Sequence, residues 1–183
     1  MPEIPLPAPP LQDDLILLRP YRRGDVGAVT EACQDPEIPR WTTIPAPYTD
    51  GDAREFIGRS DADRRAGREL GLAIVEADDG RLLGGCGLAH FDWTERRAEV
   101  GYWVAPEARR RSVGTRAVRL LSRWAIEAVG IERVELLTDP RNEASLRLAA
   151  RAGFTREGLL RSYRRRGLGR WDLVMHSLLS GED

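Results

Sequence analysis

The chain has 183 residues, 42% of them hydrophobic, which suits one well-filled core and is short for two domains. Its 28 basic residues, all of them Arg, nearly balance 29 acidic residues, so a net charge of −1 excludes a global field that gathers nucleic acid. No apolar run approaches membrane-spanning length and the N-terminus lacks a secretory pattern, so we expect a cytoplasmic protein with neither a membrane nor a nucleic-acid partner. Two cysteines, Cys33 and Cys86, and two isolated histidines form no ligand pattern, so we predict no metal site.

Prolines are concentrated in the N-terminal part of the chain. Residues 1–12 are predicted to be a flexible, Pro-rich tail, which leaves residues 13–183 as the folded domain. Four prolines within residues 35–50 argue against a regular helix or a central strand there. Trp41 and Tyr48 are therefore expected on a stiffened loop, where they either line an acceptor site or plug the core.

Apolar periodicity and turn residues predict the regular elements of the domain. In chain order they are a strand over Leu15–Arg19, a helix over Val26–Gln34 capped by Asp25, a helix from Thr49 or Asp50 to Gly67, strands over Leu70–Ala77, Arg81–Trp93 and Ala98–Val104, a helix over Val113–Val129 with Ala128 on its apolar stripe, a strand over Glu132–Thr138, a helix from Asn142 to Ala152, and a hairpin of Phe154–Tyr163 and Trp171–Leu179. This alternation, without internal repeats, predicts an α/β (α+β) fold with a mixed sheet.

A strand, a basic turn and a helix follow one another from residue 98. The strand ends before Pro106, and the turn carries three Arg residues at positions 109–111 before the helix begins. Because the first N–H groups of a helix lack intrahelical partners and carry positive partial charge, this order predicts an anion site, with phosphate as the expected guest. The NTPase pattern GxxxxGK[ST] is excluded because the chain has no Lys, and the dinucleotide pattern GxGxxG fails because His90 stands where the third Gly belongs.

The turn resembles the acyl-CoA pyrophosphate loop of the GNAT N-acetyltransferase superfamily, which follows a strand and reads [QR]xxGx[GA]. The matching residues run from Arg109 to Gly114, with Ser112 in place of the first Gly. Because Gly there lets the backbone approach a pyrophosphate without a Cβ, we expect weakened rather than abolished binding. The preceding AEVGYWVAPEAR and the later NEASLRLAARAGF, at residues 142–154, also resemble family motifs in the family's order. The resemblance spans nearly the whole chain and is closest to the branch of ribosomal-protein N-terminal and small-amine acetyltransferases.

The resemblance implies a single-domain, mostly antiparallel central sheet flanked by helices. It also implies acetyl-CoA or another acyl-CoA as the acyl donor, without a metal. The residues that it assigns to the donor are Tyr102, Trp103, Val104, Arg109, Arg110, Arg111, Ser112, Val113, Gly114, Thr115, Asn142 and Arg147. Backbone N–H groups are expected to do most of the phosphate binding, with one or two of the three turn Arg side chains touching phosphate. Asn142 has a plain interpretation as a helix cap, and Arg147 as part of a solvated helix face.

Glu99 is the predicted general base. The family often places a Glu in the central strand, and a carboxylate there can take the proton of an attacking amine directly or through a water. The alternative is an exposed strand carboxylate paired with Arg97 or a neighbouring Arg. Glu157 and Asp92 are the fallback bases.

The departing thiolate requires a hydrogen-bond or proton donor. Many family members carry a Tyr seven residues after the motif Asn, but Ala149 occupies that position here. The branch resembled here instead has a Ser three residues after that Asn, which is matched by Ser145. The alternative is that Ser145, near a helix start, bonds only its own backbone.

These features predict an acetyl-CoA-dependent N-acetyltransferase in which a primary amine, of a protein N-terminus or of a small molecule, attacks the acyl group directly. The resemblance admits a homodimer. A second hypothesis is a catalytically weakened acyl-CoA-binding sensor or partner subunit, which Ser112 and Ala149 favour and Glu99 disfavours. The acceptor side is expected to include Trp41, Tyr48, Phe91 and Trp93.

Overall fold

The computed structural model describes residues 1–167 and 169–182, with Arg166 described by its backbone alone. Its strands are β1 (Leu11–Gln12), β2 (Ile16–Pro20), β3 (Leu70–Glu76), β4 (Leu82–Asp92), β5 (Arg97–Val104), β6 (Arg133–Thr138), β7 (Thr155–Arg166) and β8 (Gly169–Leu179). Its helices are α1 (Val26–Ala32), α2 (Glu37–Trp41), α3 (Asp50–Arg65), α4 (Val113–Trp124) and α5 (Glu143–Arg151), with short 3₁₀ turns at Arg23–Asp25 and Pro106–Ala108.

All of these strands join one eight-stranded sheet in the order β1-β2-β3-β4-β5-β6-β8-β7. Neighbouring strands are antiparallel except for β5 and β6, which are parallel. The chain between β5 and β6 crosses over through α4, as parallel neighbours require. The predicted fold class, a mixed and mostly antiparallel sheet flanked by helices, is confirmed.

Strands β5 and β6 separate after a short pairing. Their register joins Arg97–Glu99 to Arg133–Glu135. Beyond it β6 continues beside β8 as far as Thr138, whereas β5 stays beside β4 as far as Val104. The edge of β5 over residues 100–104 therefore faces a gap in the sheet, which we call the β5–β6 gap.

The hydrophobic core lies on both faces of the sheet. On one face, Val100 of β5 packs in a cluster with Leu121 of α4. On the other face, Val29 of α1 belongs to a second cluster that also receives residues of α2 and α3. Successive side chains of a strand point to opposite faces, so Tyr102 packs against the first cluster and Trp103 against the second. The last residues of β5 thus reach both layers.

Helix-end signals are confirmed at three places. Thr49 and Asp52 form a capping box at the start of α3. The Oδ1 atom of Asn142 accepts a hydrogen bond of 3.1 Å from the backbone N–H of Ser145 at the start of α5. Gly130, with φ of 80°, ends the helical segment after α4 in the left-handed conformation that glycine tolerates.

Two local predictions in the N-terminal third are wrong. The Pro-rich segment contains the short helix α2, because Pro36 is its N-cap and Pro39 lies in its first turn, where a missing N–H costs no hydrogen bond. Asp25 does not cap α1 with its side chain. Its carboxylate instead accepts two hydrogen bonds from Arg19, at 2.8 and 2.9 Å, and so ties β2 to the following 3₁₀ turn.

The helix that begins with α4 also differs from its predicted course. After Trp124 the chain forms one π-helical turn over Ala125–Val129. The wider turn rotates the apolar stripe, so Ala128, which was predicted to be in the core, is exposed.

The first residues are packed rather than forming the predicted flexible tail. Ile4 is 0% exposed and belongs to the main core cluster. Its N–H donates to the Arg64 carbonyl at 3.1 Å, and the Arg64 guanidinium donates to the Ile4 carbonyl and to the Glu3 carboxylate, each at 2.7 Å. Strand β1 then pairs with β2. The predicted domain boundary after residue 12 is therefore not seen in the packing of this segment.

Replacing Ile4→Ala is expected to lower the free energy of unfolding by about 2–4 kcal/mol, because it leaves a cavity in a closed core. Chemical denaturation measures this change. The matched control is Leu6→Ala, at a side chain that is 43% exposed, for which we expect a change of about 0.5 kcal/mol or less. Equal effects of the two substitutions would contradict the packing of Ile4.

Candidate active site

A cavity of about 1220 Å³ lies along the β5–β6 gap. It is lined by the second half of β5, the turn before α4, the first turns of α5 and the segment from α1 to α3. Ligand-binding sites in proteins are typically concave, with a few polar groups among apolar walls. The predicted site residues that line it are Trp41, Tyr48, Glu99, Tyr102, Trp103, Val104, Arg109, Arg110, Ser112, Val113, Gly114, Thr115, Asn142, Ser145 and Arg147.

One end of the cavity, which we call the anion end, lies at the start of α4. Arg116 is the first residue of α4 whose N–H bonds back into the helix, to the Ser112 carbonyl at 3.0 Å. The N–H groups of residues 113–115 therefore point out of the helix end, where the helix dipole adds positive potential. Arg110 and Arg147 line the same cavity. A helix start of this kind attracts anions, and the phosphate site that the sequence predicts here stays a prediction.

The three turn arginines have different surroundings. Arg109 donates two hydrogen bonds to Asp35, at 3.2 and 2.9 Å, and so links the turn to the segment between α1 and α2. Arg111 forms an ion pair with Glu76 on the protein surface. Of the three, Arg109 and Arg110 line the cavity, and Arg110 takes part in neither of these ion pairs. That one or two of the arginines reach a phosphate stays a prediction.

Ser112 occupies a backbone conformation that favours glycine. Its φ is 62° and its ψ is 11°, and its side chain makes no capping hydrogen bond to α4. Arg110, two residues earlier, also has a positive φ of 60°. A left-handed conformation costs a residue with a Cβ roughly 1–2 kcal/mol, so the turn holds this conformation at some cost.

Gly114 lets three elements approach closely. A Cβ added there would lie 2.9 Å from Leu148 Cδ1 on α5 and 3.1 Å from Tyr102 Cε2 on β5. Both distances are shorter than ordinary van der Waals contact. The absence of a side chain at this position therefore allows the start of α4 to pack onto α5 and the Tyr102 ring.

Glu99 lies where the β5–β6 pairing ends, with its side chain 16% exposed. Arg164 on β7 donates to both carboxylate oxygens, at 3.2 and 2.6 Å. The His90 Nε2 atom lies 4.0 Å from the same carboxylate. Arg97, the partner considered from sequence, instead bonds to Asp92 at 3.3 Å. A proton donor in the cavity must therefore share Glu99 with the Arg164 guanidinium.

Ser145 faces the cavity from the first turn of α5 and is 6% exposed. The Tyr102 hydroxyl donates a hydrogen bond of 2.9 Å to the Ser145 Oγ atom. The Ser145 hydroxyl therefore has a side-chain partner, Tyr102 on β5. The alternative considered from sequence, in which this hydroxyl bonds only its own backbone, did not include such a partner.

Aromatic side chains line the opposite end of the cavity. Trp41 on α2, the buried Tyr48 and Trp103 on β5 are among them. Gly101 lies between Glu99 and Trp103 on the same strand face, and a Cβ added to it would meet no atom within 4 Å. The strand backbone is thus exposed as a floor beside Glu99.

Two of the predicted acceptor residues lie elsewhere. The rings of Phe91 and Trp93 stack on each other at 4.9 Å and pack against the main core cluster. The Trp93 Nε1–H donates to the Gly67 carbonyl at 3.1 Å. Their expected place at the acceptor side is therefore wrong: the bulge between β4 and β5 at Ala89 to Asp92 turns them away from the cavity.

The fallback bases also lie outside the cavity lining. Two hydrogen bonds from Arg133, at 2.7 and 2.6 Å, and one from Ser177 lower the pKa of Glu157 to about 2. The backbone N–H of Glu95 and the side chain of Arg97 lower the pKa of Asp92. Both carboxylates serve local structure.

Sequence reasoning missed Arg164, His90 and the side-chain role of Tyr102. Arg164 belongs to an Arg-rich stretch in which no single position stands out. His90 lies in β4 between two apolar residues, Ala89 and Phe91. Its φ of 53° belongs to the bulge between β4 and β5. The alternation of β5 did carry a usable signal for Tyr102, because it places that residue on the face that the later helices cover.

Within the described ranges, no group of three or more His, Cys, Asp or Glu side chains could hold a metal ion. Over the same residues, no helix combines the length and the apolar character needed to cross a membrane.

The fold and the cavity define a class of protein: a domain whose sheet opens beside a helix N-terminus, with a carboxylate and a hydroxyl facing the opening. A family model described as an acetyltransferase (GNAT) domain matches residues 16–155. The chain belongs to this family and is an acetyl-CoA-dependent N-acetyltransferase, as the sequence motifs predicted.

Relatives agree with this assignment over most of the chain. The uncharacterised N-acetyltransferase p20 of Bacillus licheniformis is 27% identical over 173 residues, which are 94% of this chain and 97% of that protein. The spermidine N(1)-acetyltransferase of Escherichia coli K12 is 25% identical over 146 residues, 79% of this chain and 75% of that protein. The solved structure of RimL, a ribosomal L7/L12 alpha-N-protein acetyltransferase in complex with coenzyme A, shares the fold with a TM-score of 0.83 at 17% identity, covering 95% of this chain and 98% of that one.

Replacing Ser112→Gly is expected to stabilise the protein by about 1 kcal/mol and to tighten acetyl-CoA binding, because glycine adopts the left-handed conformation without a Cβ. Thermal unfolding and isothermal titration calorimetry measure the two effects. Ser112→Ala is the matched control, since it removes the hydroxyl and keeps the Cβ, and should not stabilise. If both variants bind acetyl-CoA equally, backbone strain at this position does not limit binding.

Replacing Glu157→Gln is expected to lower the free energy of unfolding at pH 7 by about 1 kcal/mol without changing acetyl transfer. The folded-state pKa of about 2 lies below the ordinary value of 4.5, so this stabilisation is complete above about pH 4.5 and is lost as the pH falls towards 2. Denaturation at several pH values should show the wild type and the variant converging in acid. Loss of turnover in a folded Glu157→Gln variant would instead make Glu157 a base.

Proposed function

We propose that this N-acetyltransferase transfers the acetyl group of acetyl-CoA to a primary amine that attacks directly, with Glu99 as general base and Ser145 as donor to the leaving sulfur. The observation that supports it best is the β5–β6 gap, because the cavity along it is lined by Glu99, by Ser145 and by the start of α4. The phosphates of coenzyme A are anions, which the start of a helix attracts. The N–H groups of residues 113–115 and the Arg110 side chain would hold them.

Glu99 would take the proton of the amine. An amine attacks a thioester only when it is neutral, and most amines are protonated near pH 7. The Arg164 guanidinium, which also lines the cavity, holds the Glu99 carboxylate in place. One water or the amine itself then needs only to approach the exposed edge of this carboxylate.

The edge of β5 would stabilise the carbonyl oxygen as it gains charge. Residues 100–104 border the gap, and beyond Glu99 this edge has no pairing with β6. Backbone N–H groups fixed in a strand need no reorganisation when charge develops, which is the property of an oxyanion site.

The acceptor would lie between Trp41, Trp103 and the Gly101 floor. Acidic residues line this side of the cavity beside a smaller set of arginines, which suits an amine that arrives protonated. The acidic residues are Glu37, Asp52, Glu55, Glu69 and Glu99, and the arginines are Arg59, Arg164 and Arg165. Both a protein N-terminus and a small polyamine satisfy this requirement.

Replacing Glu99→Gln is expected to lower kcat by about 10²-fold or more, since general-base catalysis contributes factors of this size. Coenzyme A release from acetyl-CoA should be followed against a panel divided between short peptides with free N-termini and small polyamines. Glu95→Gln, at an exposed turn residue, is the matched control and should behave as the wild type.

Each outcome of the panel has a distinct meaning. Release with one half of the panel, lost in Glu99→Gln, establishes the reaction, its acceptor class and its base. Full activity of Glu99→Gln removes Glu99 from the mechanism. Acetyl-CoA binding without release for any amine would contradict the proposed transfer and favour an acyl-CoA-binding sensor.

A further inference from the structure

The Tyr102 side chain is held at a fixed place beside Ser145. Its ring packs against the main core cluster, below the start of α4, where Gly114 leaves room for it. The hydroxyl at the end of the ring donates a 2.9 Å hydrogen bond to the Ser145 Oγ atom, 43 residues away along the chain. Both residues line the cavity. The contact therefore fixes one hydroxyl group on a rigid aromatic support.

The hydrogen bonds of Ser145 leave one proton available. Its backbone N–H is taken by Asn142 Oδ1 at 3.1 Å. Its Oγ atom accepts the bond from Tyr102. A serine hydroxyl has one proton and two acceptor lone pairs, so a donor bound at one lone pair leaves the proton free for another partner. Ser145 lines the cavity although it is only 6% exposed, so a ligand in the cavity is within reach of that proton.

The direction of the contact follows from the chemistry of the two hydroxyls. A phenol is far more acidic than an aliphatic alcohol, so it is the better hydrogen-bond donor of the pair, and the aliphatic oxygen is the better acceptor. Burial raises the pKa of the Tyr102 phenol, against the opposing effect of its hydrogen bond to Ser145, so the proton is present to be donated over the working pH range. A donor that polarises a hydroxyl also makes that hydroxyl a better donor to its own partner.

We propose that Tyr102 is a positioning residue that holds the Ser145 hydroxyl with its proton directed at the sulfur of the leaving coenzyme A. This role rests on the proposed function. When the carbon–sulfur bond breaks, its electron pair stays on the sulfur, which accepts the Ser145 hydrogen bond and takes its proton from solvent after departure. The proton lost by the amine stays on Glu99 until it exchanges with solvent. No proton leaves Tyr102.

Replacing Tyr102→Phe tests this role because it keeps the ring and removes only the hydroxyl. Loss of one neutral hydrogen bond corresponds to a fall in kcat of roughly threefold to tenfold, with little change in KM for acetyl-CoA. Ser145→Ala should cost more. The double variant should be no slower than Ser145→Ala, because Tyr102 acts only through Ser145. Tyr163→Phe, at a tyrosine 47% exposed on β7, is the control and should match the wild type.

A second measurement needs neither an acceptor nor turnover. The ultraviolet absorbance of the thiolate reports how readily coenzyme A ionises when bound to the protein. We expect bound coenzyme A to form the thiolate at lower pH in the wild type than in Tyr102→Phe or Ser145→Ala, while all three bind acetyl-CoA equally. Thermal unfolding of each variant verifies that the fold is intact.

Three results would overturn the positioning role. One is a thiol titration that is identical in the wild type and Tyr102→Phe. Another is a loss in Tyr102→Phe that exceeds the loss in Ser145→Ala, because Tyr102 would then act on the reaction by a route other than Ser145. The last is additive losses in the double variant. A wild type that titrates the thiol as expected but transfers no acetyl group would contradict the proposed function and leave the Tyr102–Ser145 contact as an inferred thiolate-binding pair.

Discussion

The parting of two parallel strands is the constraint on which the site depends. Strand β6 stays paired with β8 as far as Thr138 and β5 stays paired with β4 as far as Val104, whereas β5 and β6 pair with each other only as far as Glu99 and Glu135. Beyond that point the two strands leave an opening between them. That opening exposes strand peptide groups next to a helix N-terminus, and it lets side chains from both faces of the sheet reach one volume. The anion end, the carboxylate and the hydroxyl owe their shared cavity to it.

Elements defined by local chemistry could be predicted from the sequence. Thr49 with Asp52, Asn142 and Gly130 mark helix ends through their own backbone neighbours, so each signal lies within a few residues. The failures involve distant partners. Ile4 is buried because its side chain packs in the main core cluster and its carbonyl accepts a hydrogen bond from Arg64. A single apolar residue in a Pro-rich run has no periodicity, so no sequence pattern predicts this burial.

The candidate site divides in the same way. Its anion end is contiguous in sequence, and the order of strand, turn and helix start that the sequence predicted there is confirmed. The contacts that adjust the chemistry are not contiguous: Arg164 reaches Glu99 across 65 residues, and Tyr102 reaches Ser145 across 43. The predicted place of Phe91 and Trp93 was wrong because a bulge changes the direction of their strand. No residue pattern in the sequence marks this bulge.

The cations in the ion pairs described above also have a chemical consequence. Each of them is a guanidinium, as the arginines at Asp35, Glu76 and Glu99 illustrate, and the chain contains no Lys. A guanidinium stays protonated at neutral pH and offers no free nitrogen lone pair to a thioester. An enzyme that handles activated acyl groups thereby carries ion pairs whose guanidinium nitrogens its own substrate does not acylate. Its charge pattern would survive prolonged exposure to acetyl-CoA, whereas a lysine-bearing relative would gradually lose positive charge by chemical acetylation.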